Sequence, residues 1–191
     1  SVRHLWPMTN RLASLAPLDP VDPYSRESQT NATLAPDQIA RIRAFGALEH
    51  VPEGTVLFRR GQRSVDFVLV LSGRIDIFDV DAHGDESVFI THGPGQFSGE
   101  LDLFSERQIL VSARAGSPSE IVRVKHADFR RLLTAEPDIA ETVIRAFILR
   151  RVGLIRHAQG GVLVLGSMHS AETLRIERFL IQNGYPHRLL D

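Results

Sequence analysis

The sequence predicts a mainly β domain of short strands closed by a long C-terminal helix. Three observations predict it. From Val51 to Lys125 the apolar pattern has period two, broken by glycines at 54, 61, 73, 84, 93, 95 and 99. After Pro137 the period lengthens to that of a helix and holds to about His157. Before residue 34 there is no period at all, only Pro7, Pro17, Pro20 and Pro23 among Ser, Thr and Asn.

The elements follow in order. Residues 1–33 read as an irregular arm with at most a short helical turn. A first helix is predicted over about 36–46, because Pro36 suits a first helical position and Ile39, Ile42 and Phe45 recur at helical spacing. Phe67-Val-Leu-Val-Leu71 is a continuous apolar run, and Arg74-Ile-Asp-Ile-Phe78 alternates after the turn Ser72-Gly73. Val88-Phe-Ile90 and Ile121-Val-Arg-Val124 repeat the theme. Short strands with frequent turn signals specify a sandwich, roll or barrel, and the pattern does not choose among them. Ala127 to Ala135 reads as a short helix, followed by the long one.

The long helix carries two adjacent apolar stripes, Ile139-Val143-Phe147-Leu154 and Ile144-Ile148-Val152-Ile155. One stripe docks a helix on its own domain, and the second predicts a partner, most simply another copy of the chain. The alternative is burial on most sides within one domain. Gly160-Gly161 then breaks the helix. Val162-Leu-Val-Leu165, a helix at about 171–183 and His187-Arg-Leu-Leu190 form a β-α-β start that cannot bury its own faces in thirty residues, so the chain is expected to be part of something longer.

Composition removes several function classes. The 191 residues carry 22 basic and 23 acidic side chains, so no whole-chain field points to nucleic acid or an acidic membrane, and neither is expected as a partner. No apolar run reaches the length of a membrane span. The absence of cysteine excludes disulfides, thiol catalysis and Cys-zinc sites, and fits a cytoplasmic protein. Eight histidines invite a metal reading, but no two stand one residue apart as a metal-binding roll requires, so no metal is expected. Ser167-Met-His-Ser170 lacks an orienting acid, and no catalytic residue is assigned. The arginine pairs 59–60, 130–131 and 150–151 read as solvated faces.

Chemistry concentrates in Gly95-Gln-Phe-Ser-Gly-Glu-Leu-Asp-Leu-Phe104. Phe97, Leu101 and Phe104 are spaced to anchor a short helical turn entered through Gly99. Free amides at such a turn hold an anion, and Glu100 beside them accepts hydrogen bonds from a sugar hydroxyl. A Gly-rich corner with a solvated glutamate remains open as the simpler reading.

Several blocks together resemble a known family. Pro36-Asp-Gln-Ile-Ala40, Pro52-Glu-Gly-Thr-Val-Leu-Phe58, Gly61, Phe67 to Phe78 and Gly95-Gln-Phe-Ser-Gly-Glu-Leu101 look like the cyclic-nucleotide-binding domain of catabolite-activator-type regulators, over about 34–158. The resemblance implies a jelly-roll-like β-roll (a double-stranded β-helix), a dimer seam along the long helix, a sensor rather than a catalyst, and cyclic AMP or cyclic GMP as ligand. It assigns the ligand site to Phe97, Ser98, Gly99, Glu100 and Leu101 at the opening of the phosphate cassette. At its close the family has an arginine and two small residues, where this chain has Ile109, Leu110 and Val111. The phosphate-gripping arginine is therefore missing, and Arg107 is the nearby cation that a rearranged loop would supply. A roll that has lost its ligand and serves only as an assembly platform is the alternative, as is a transcription regulator of the catabolite-activator type.

Residues 162–191 resemble the opening of a thioredoxin or glutaredoxin-like domain, with Ser170 and Thr173 where that family has cysteines. A hydroxyl cannot replace a thiolate in disulfide exchange, which leaves this segment a structural role. Together the two pieces resemble the N-terminal region of flavin-dependent thioredoxin-reductase-like proteins fused to a cyclic-nucleotide-binding domain. FAD and NADPH would then belong to a longer parent, with its Gly-rich fingerprint beyond residue 191.

Overall fold

The computed structural model describes residues 26–80, 84–99, 109–156, 162–182 and 187–190. In chain order these form α1 (Glu27–Thr30), α2 (Pro36–Ile42), β1 (Ala47–Val51), β2 (Val56–Phe58), β3 (Phe67–Ser72), β4 (Ile75–Val80), β5 (Glu86–His92), β6 (Phe97–Ser98), β7 (Ser112–Ala115) and β8 (Ser119–Val124). They continue with α3 (His126–Ala135), α4 (Pro137–Arg156), β9 (Val162–Leu165), α5 (Ala171–Gln182) and β10 (His187–Leu190). Two four-stranded antiparallel sheets, ordered β1-β8-β3-β6 and β2-β7-β4-β5, build a jelly-roll-like β-roll. Among the described residues no helix is long and apolar enough to cross a membrane.

The apolar run of β3 exists because both its faces are covered. Phe67 and Leu69 point to a helical layer with Ile42, Leu132, Ile139, Val143 and Phe147. Val68 and Val70 point the other way, to Ile75, Ile77, Ala113 and Ile121 between the sheets. A strand buried on both sides cannot alternate with polar residues. Phe67 sits at the centre of the helical layer, its ring stacked on Phe129 at 4.9 Å and on Phe97 at 5.6 Å. The turn into β4 uses Gly73 at φ +79°, and a side chain there would strike Ser119 Oγ and the Pro118 carbonyl.

Several sequence expectations shift. The first helix stops at Ile42 rather than 46, and residues 43–45 turn so that Gly46 can lie directly beneath β8, where a Cβ would come within 2.6 Å of the Arg123 carbonyl. Strands β1, β2 and β7 are additional. β1 is mostly exposed and carries Glu49 and His50, so it lacks an apolar signal, while β7 reads Ser-Ala-Arg-Ala because only small residues fit its buried positions between β2 and β4. The arm predicted for residues 1–33 ends inside the body, where Thr30 and Ala32 are buried.

A latch holds α4 to α2. Arg41 donates to both carboxylate oxygens of Asp138, at 2.6 and 3.0 Å, and also pairs with Glu136. Gln38 Nε2 donates to Asp138 Oδ2 at 3.1 Å. Arg41 and Gln38 hold the Asp138 carboxyl well below the usual carboxylate range. Along α4 the inner stripe Ile139, Val143 and Phe147 is buried, whereas Ile148 and Val152 of the outer stripe are exposed. Beyond it, β9 and β10 pair in parallel with α5 between them.

Candidate functional site

A cavity opens in the roll against the long helix. It is partly open to solvent and lined mostly by apolar side chains. Five parts of the chain make its wall. The sheet strands supply Phe58, Ile77, Phe89, Ile90 and His92; the corner after β6 supplies Ser98 and Gly99; the approach to β7 supplies Leu110 and Val111; and α4 supplies Phe147, Arg150, Arg151 and Leu154. Thr30 closes one side from α1.

Antiparallel pairing of β6 with β3, Leu69 opposite Phe97 and Val68 opposite Ser98, carries the chain to the corner. Gly99 takes φ +139°, a region closed to residues with a side chain. A Cβ there would also lie 3.3 Å from the Asp66 carbonyl and from Phe67 Cα.

Of the residues assigned from sequence, Ser98, Gly99, Leu110 and Val111 line the cavity. Phe97 and Ile109 are buried behind it, Phe97 in the helical layer and Ile109 between the sheets. Ile109 is held there by reciprocal backbone bonds, its N–H donating to the Gln62 carbonyl and its own carbonyl accepting from Gly61. Glu100, Leu101 and Arg107 lie outside the described residues, as does the predicted helical turn after Gly99.

The sequence reading missed Arg150, and its assignment to a solvated face is corrected. Nε donates to the Thr30 carbonyl at 2.7 Å, and Nη1 donates to the Phe97 carbonyl at 2.8 Å. The guanidinium lies over the Phe97 ring at 4.9 Å and near Phe147 at 5.7 Å. Nη2 is closed off from solvent and has no hydrogen-bond partner among the described residues. Burial pushes the guanidinium down to about 9, which leaves it charged at neutral pH. The described lining holds two arginines and no carboxylate. A signal existed in the sequence. The inner stripe of α4 skips from Phe147 to Leu154, and Arg150 occupies the turn between them, where an apolar residue belongs.

His92 was likewise unassigned. It is 1% exposed, and its Nδ1 has no partner among the described residues. Burial, then the nearby Arg150 charge, pushes it well below the ordinary histidine range, so the imidazole is neutral. Among the described residues no group of three or more metal-ligating side chains converges. The wall is thus an apolar pouch with one fixed cation and a few buried hydrogen-bonding groups, suited to an anion attached to a flat or apolar body.

Residues 48–136 match the family described as the cyclic nucleotide-binding domain. The chain is similar to patatin-like phospholipase domain-containing protein 7 of Rattus norvegicus, 26% identical over 112 residues, 58% of this chain and 8% of that one. It is similar to the cAMP-activated global transcriptional regulator CRP of Pasteurella multocida, 29% identical over 89 residues, 46% of this chain and 43% of that one. Among solved structures it resembles the catabolite activator protein of Thermus thermophilus, with TM-score 0.54 and 27% identity, covering 69% of this chain and 60% of that one. The matched stretch is thus less than two thirds of each of these relatives. The transcriptional regulator overturns the expectation that nucleic acid is excluded as a partner, since regulation of transcription acts on DNA. Charge balance over a whole chain averages its patches and does not report on a local contact.

Proposed function

We propose that this chain, whose residues 48–136 match the cyclic nucleotide-binding domain and which resembles a catabolite activator protein, is a ligand-sensing regulatory module whose output element is α4. The observation that carries the reading is that α4 supplies Phe147, Arg150, Arg151 and Leu154 to the cavity wall. A ligand touching both the corner at Ser98-Gly99 and this helix binds differently to different helix positions. That difference in affinity is what shifts a conformational population. The cyclic nucleotide seat is the wall formed by Ser98, Gly99, Leu110 and Val111, with Glu100, Leu101 and Arg107 following in the chain. Calorimetric titration with cyclic AMP and cyclic GMP tests this. Saturable heat supports the reading, and no heat at millimolar nucleotide favours the ligand-free platform.

The outer stripe of α4 is proposed as a dimer seam, since Ile148 is 50% exposed and Val152 38% exposed on an otherwise docked helix. Gel filtration of Ile148→Glu is expected to show a monomer where the parent sequence elutes as a dimer, and a monomeric parent at high concentration overturns the seam. The parent protein is proposed to be a flavin-dependent thioredoxin-reductase-like enzyme, with 162–191 opening a cysteine-less thioredoxin-like segment and with FAD and NADPH bound elsewhere in it. What supports this is the parallel β9-α5-β10 unit after α4. The competing reading, a transcription regulator, is supported by the likeness to the transcriptional regulator CRP but not by the patatin-like relative. Flavin absorbance of the purified full-length protein supports the first, and retardation of promoter DNA supports the second.

A further inference from the structure

We infer that the anion-holding residue of this cavity is Arg150, on the long helix, and that the site takes a monoanionic group carried on a flat apolar body. The inference rests on the cavity being a ligand site, as proposed above, but not on a cyclic nucleotide being its occupant. The phosphodiester of a cyclic nucleotide and the carboxylate of an aromatic acid share this chemistry.

Three features make Arg150 a binding group rather than a structural one. First, its position is predetermined: bonds to the Thr30 and Phe97 carbonyls and the Phe97 ring beneath it fix the plane of the guanidinium. A group held this way loses little freedom when it captures a ligand. Second, those bonds use Nε and Nη1 and leave Nη2 buried without a partner among the described residues. A buried cation facing apolar walls is costly until a counter-charge arrives. Third, the described wall around Arg150 is mostly apolar (Phe58, Ile77, Phe89, Leu110 and Val111), which favours a guest that pairs one charge with an apolar body. His92, 1% exposed with Nδ1 unpartnered, lines the same cavity and offers a neutral ring nitrogen to the same guest.

The position has a mechanical consequence. Ile109 stands where the family resemblance calls for the phosphate arginine, and it is locked between the sheets. With the cation on α4 instead, the ligand's charge is bonded to the moving element itself. Contact with the helix is then made by the strongest bond in the site.

Two dyes of similar aromatic body separate the charge from the apolar term. 1-Anilinonaphthalene-8-sulfonate carries one negative charge, and N-phenyl-1-naphthylamine carries none. The wild-type protein is expected to bind the anionic dye about ten- to a hundredfold more tightly, the worth of one charged hydrogen bond. Arg150→Gln removes that preference while leaving the neutral dye's affinity within about twofold, and Arg145→Gln, at an exposed position of the same helix outside the cavity lining, keeps the preference. Equal affinity of the two dyes for the wild type, or a preference that survives Arg150→Gln, overturns the assignment. Cyclic AMP and 1-naphthoate then compete with the bound anionic dye. Displacement by the first identifies a phosphodiester guest, by the second a carboxylate, and displacement by neither means the dye sits elsewhere and overturns the inference. A protein that gives no heat with cyclic nucleotide but keeps the Arg150-dependent dye preference refutes the nucleotide and leaves the anion site standing. Should Arg150→Gln not fold, phenylglyoxal labelling of the wild type decides. Protection of Arg150 by the anionic dye and not the neutral one supports the inference, and equal protection overturns it.

Discussion

Acidification is expected to weaken this protein through His92 in particular. Folded, the imidazole is 1% exposed and is held well below its ordinary range by burial and by the charge of Arg150. Unfolded, it takes up a proton near pH 6.5. The unfolded state therefore binds the extra proton, and the stability this contributes is full above about pH 6.5 and is lost as pH falls below it. Between about pH 7.5 and pH 5.5, with the folded ring still neutral, the loss comes to about 1.4 kcal/mol, or roughly 3–6 °C in Tm for a chain of this size. Urea denaturation of the parent sequence and His92→Gln at stepped pH isolates the effect, because the other histidines are common to both and cancel in the difference. The stability difference between the two proteins is expected to move by about 1.4 kcal/mol across that interval. Parallel pH profiles would show that His92 is not buried neutral beside a cation and would refute the electrostatic picture of the cavity.

Two further outcomes follow from the geometry. Gly99→Ala forces a side chain onto φ +139° and into the Asp66 carbonyl at 3.3 Å, so thermal melts should show about 1–3 kcal/mol of destabilisation; an unchanged Tm refutes the corner as drawn. Arg41→Ala unlatches α4 and lowers Tm at neutral pH; because Asp138 is held below its ordinary range, the parent's advantage is full above about pH 4 and shrinks below it. A Tm gap that does not narrow on titration to about pH 3 counts against the latch.

Both core layers are written in the sequence at β3, where an uninterrupted Phe67 to Leu71 requires cover on both faces, and both covers exist. The helix after Pro137 was legible in the same way, from the recurrence of Ile139, Val143 and Phe147. The corner at Ser98-Gly99 announced itself because a glycine within an otherwise strand-like stretch marks a backbone conformation other residues avoid. Strand β1 was not legible, since an exposed edge strand carrying Glu49 and His50 needs no apolar pattern to persist once β8 pairs with it.

What the amino-acid order determined alone is thus periodicity, and with it the elements, their buried faces and the family they resemble. The tertiary structure decided which polar groups were stripped of water. Arg150 reads as half of a solvated pair along the chain, and His92 as one of eight histidines. Arg150 became a cavity group only when α1, β6 and α4 met, because its hydrogen bonds to the Thr30 and Phe97 carbonyls join residues 120 and 53 positions away, and His92 did so only when the end of β5 was brought to the same cavity. Local patterning is blind to such distances, and desolvation is a property of the assembled wall rather than of any segment within it.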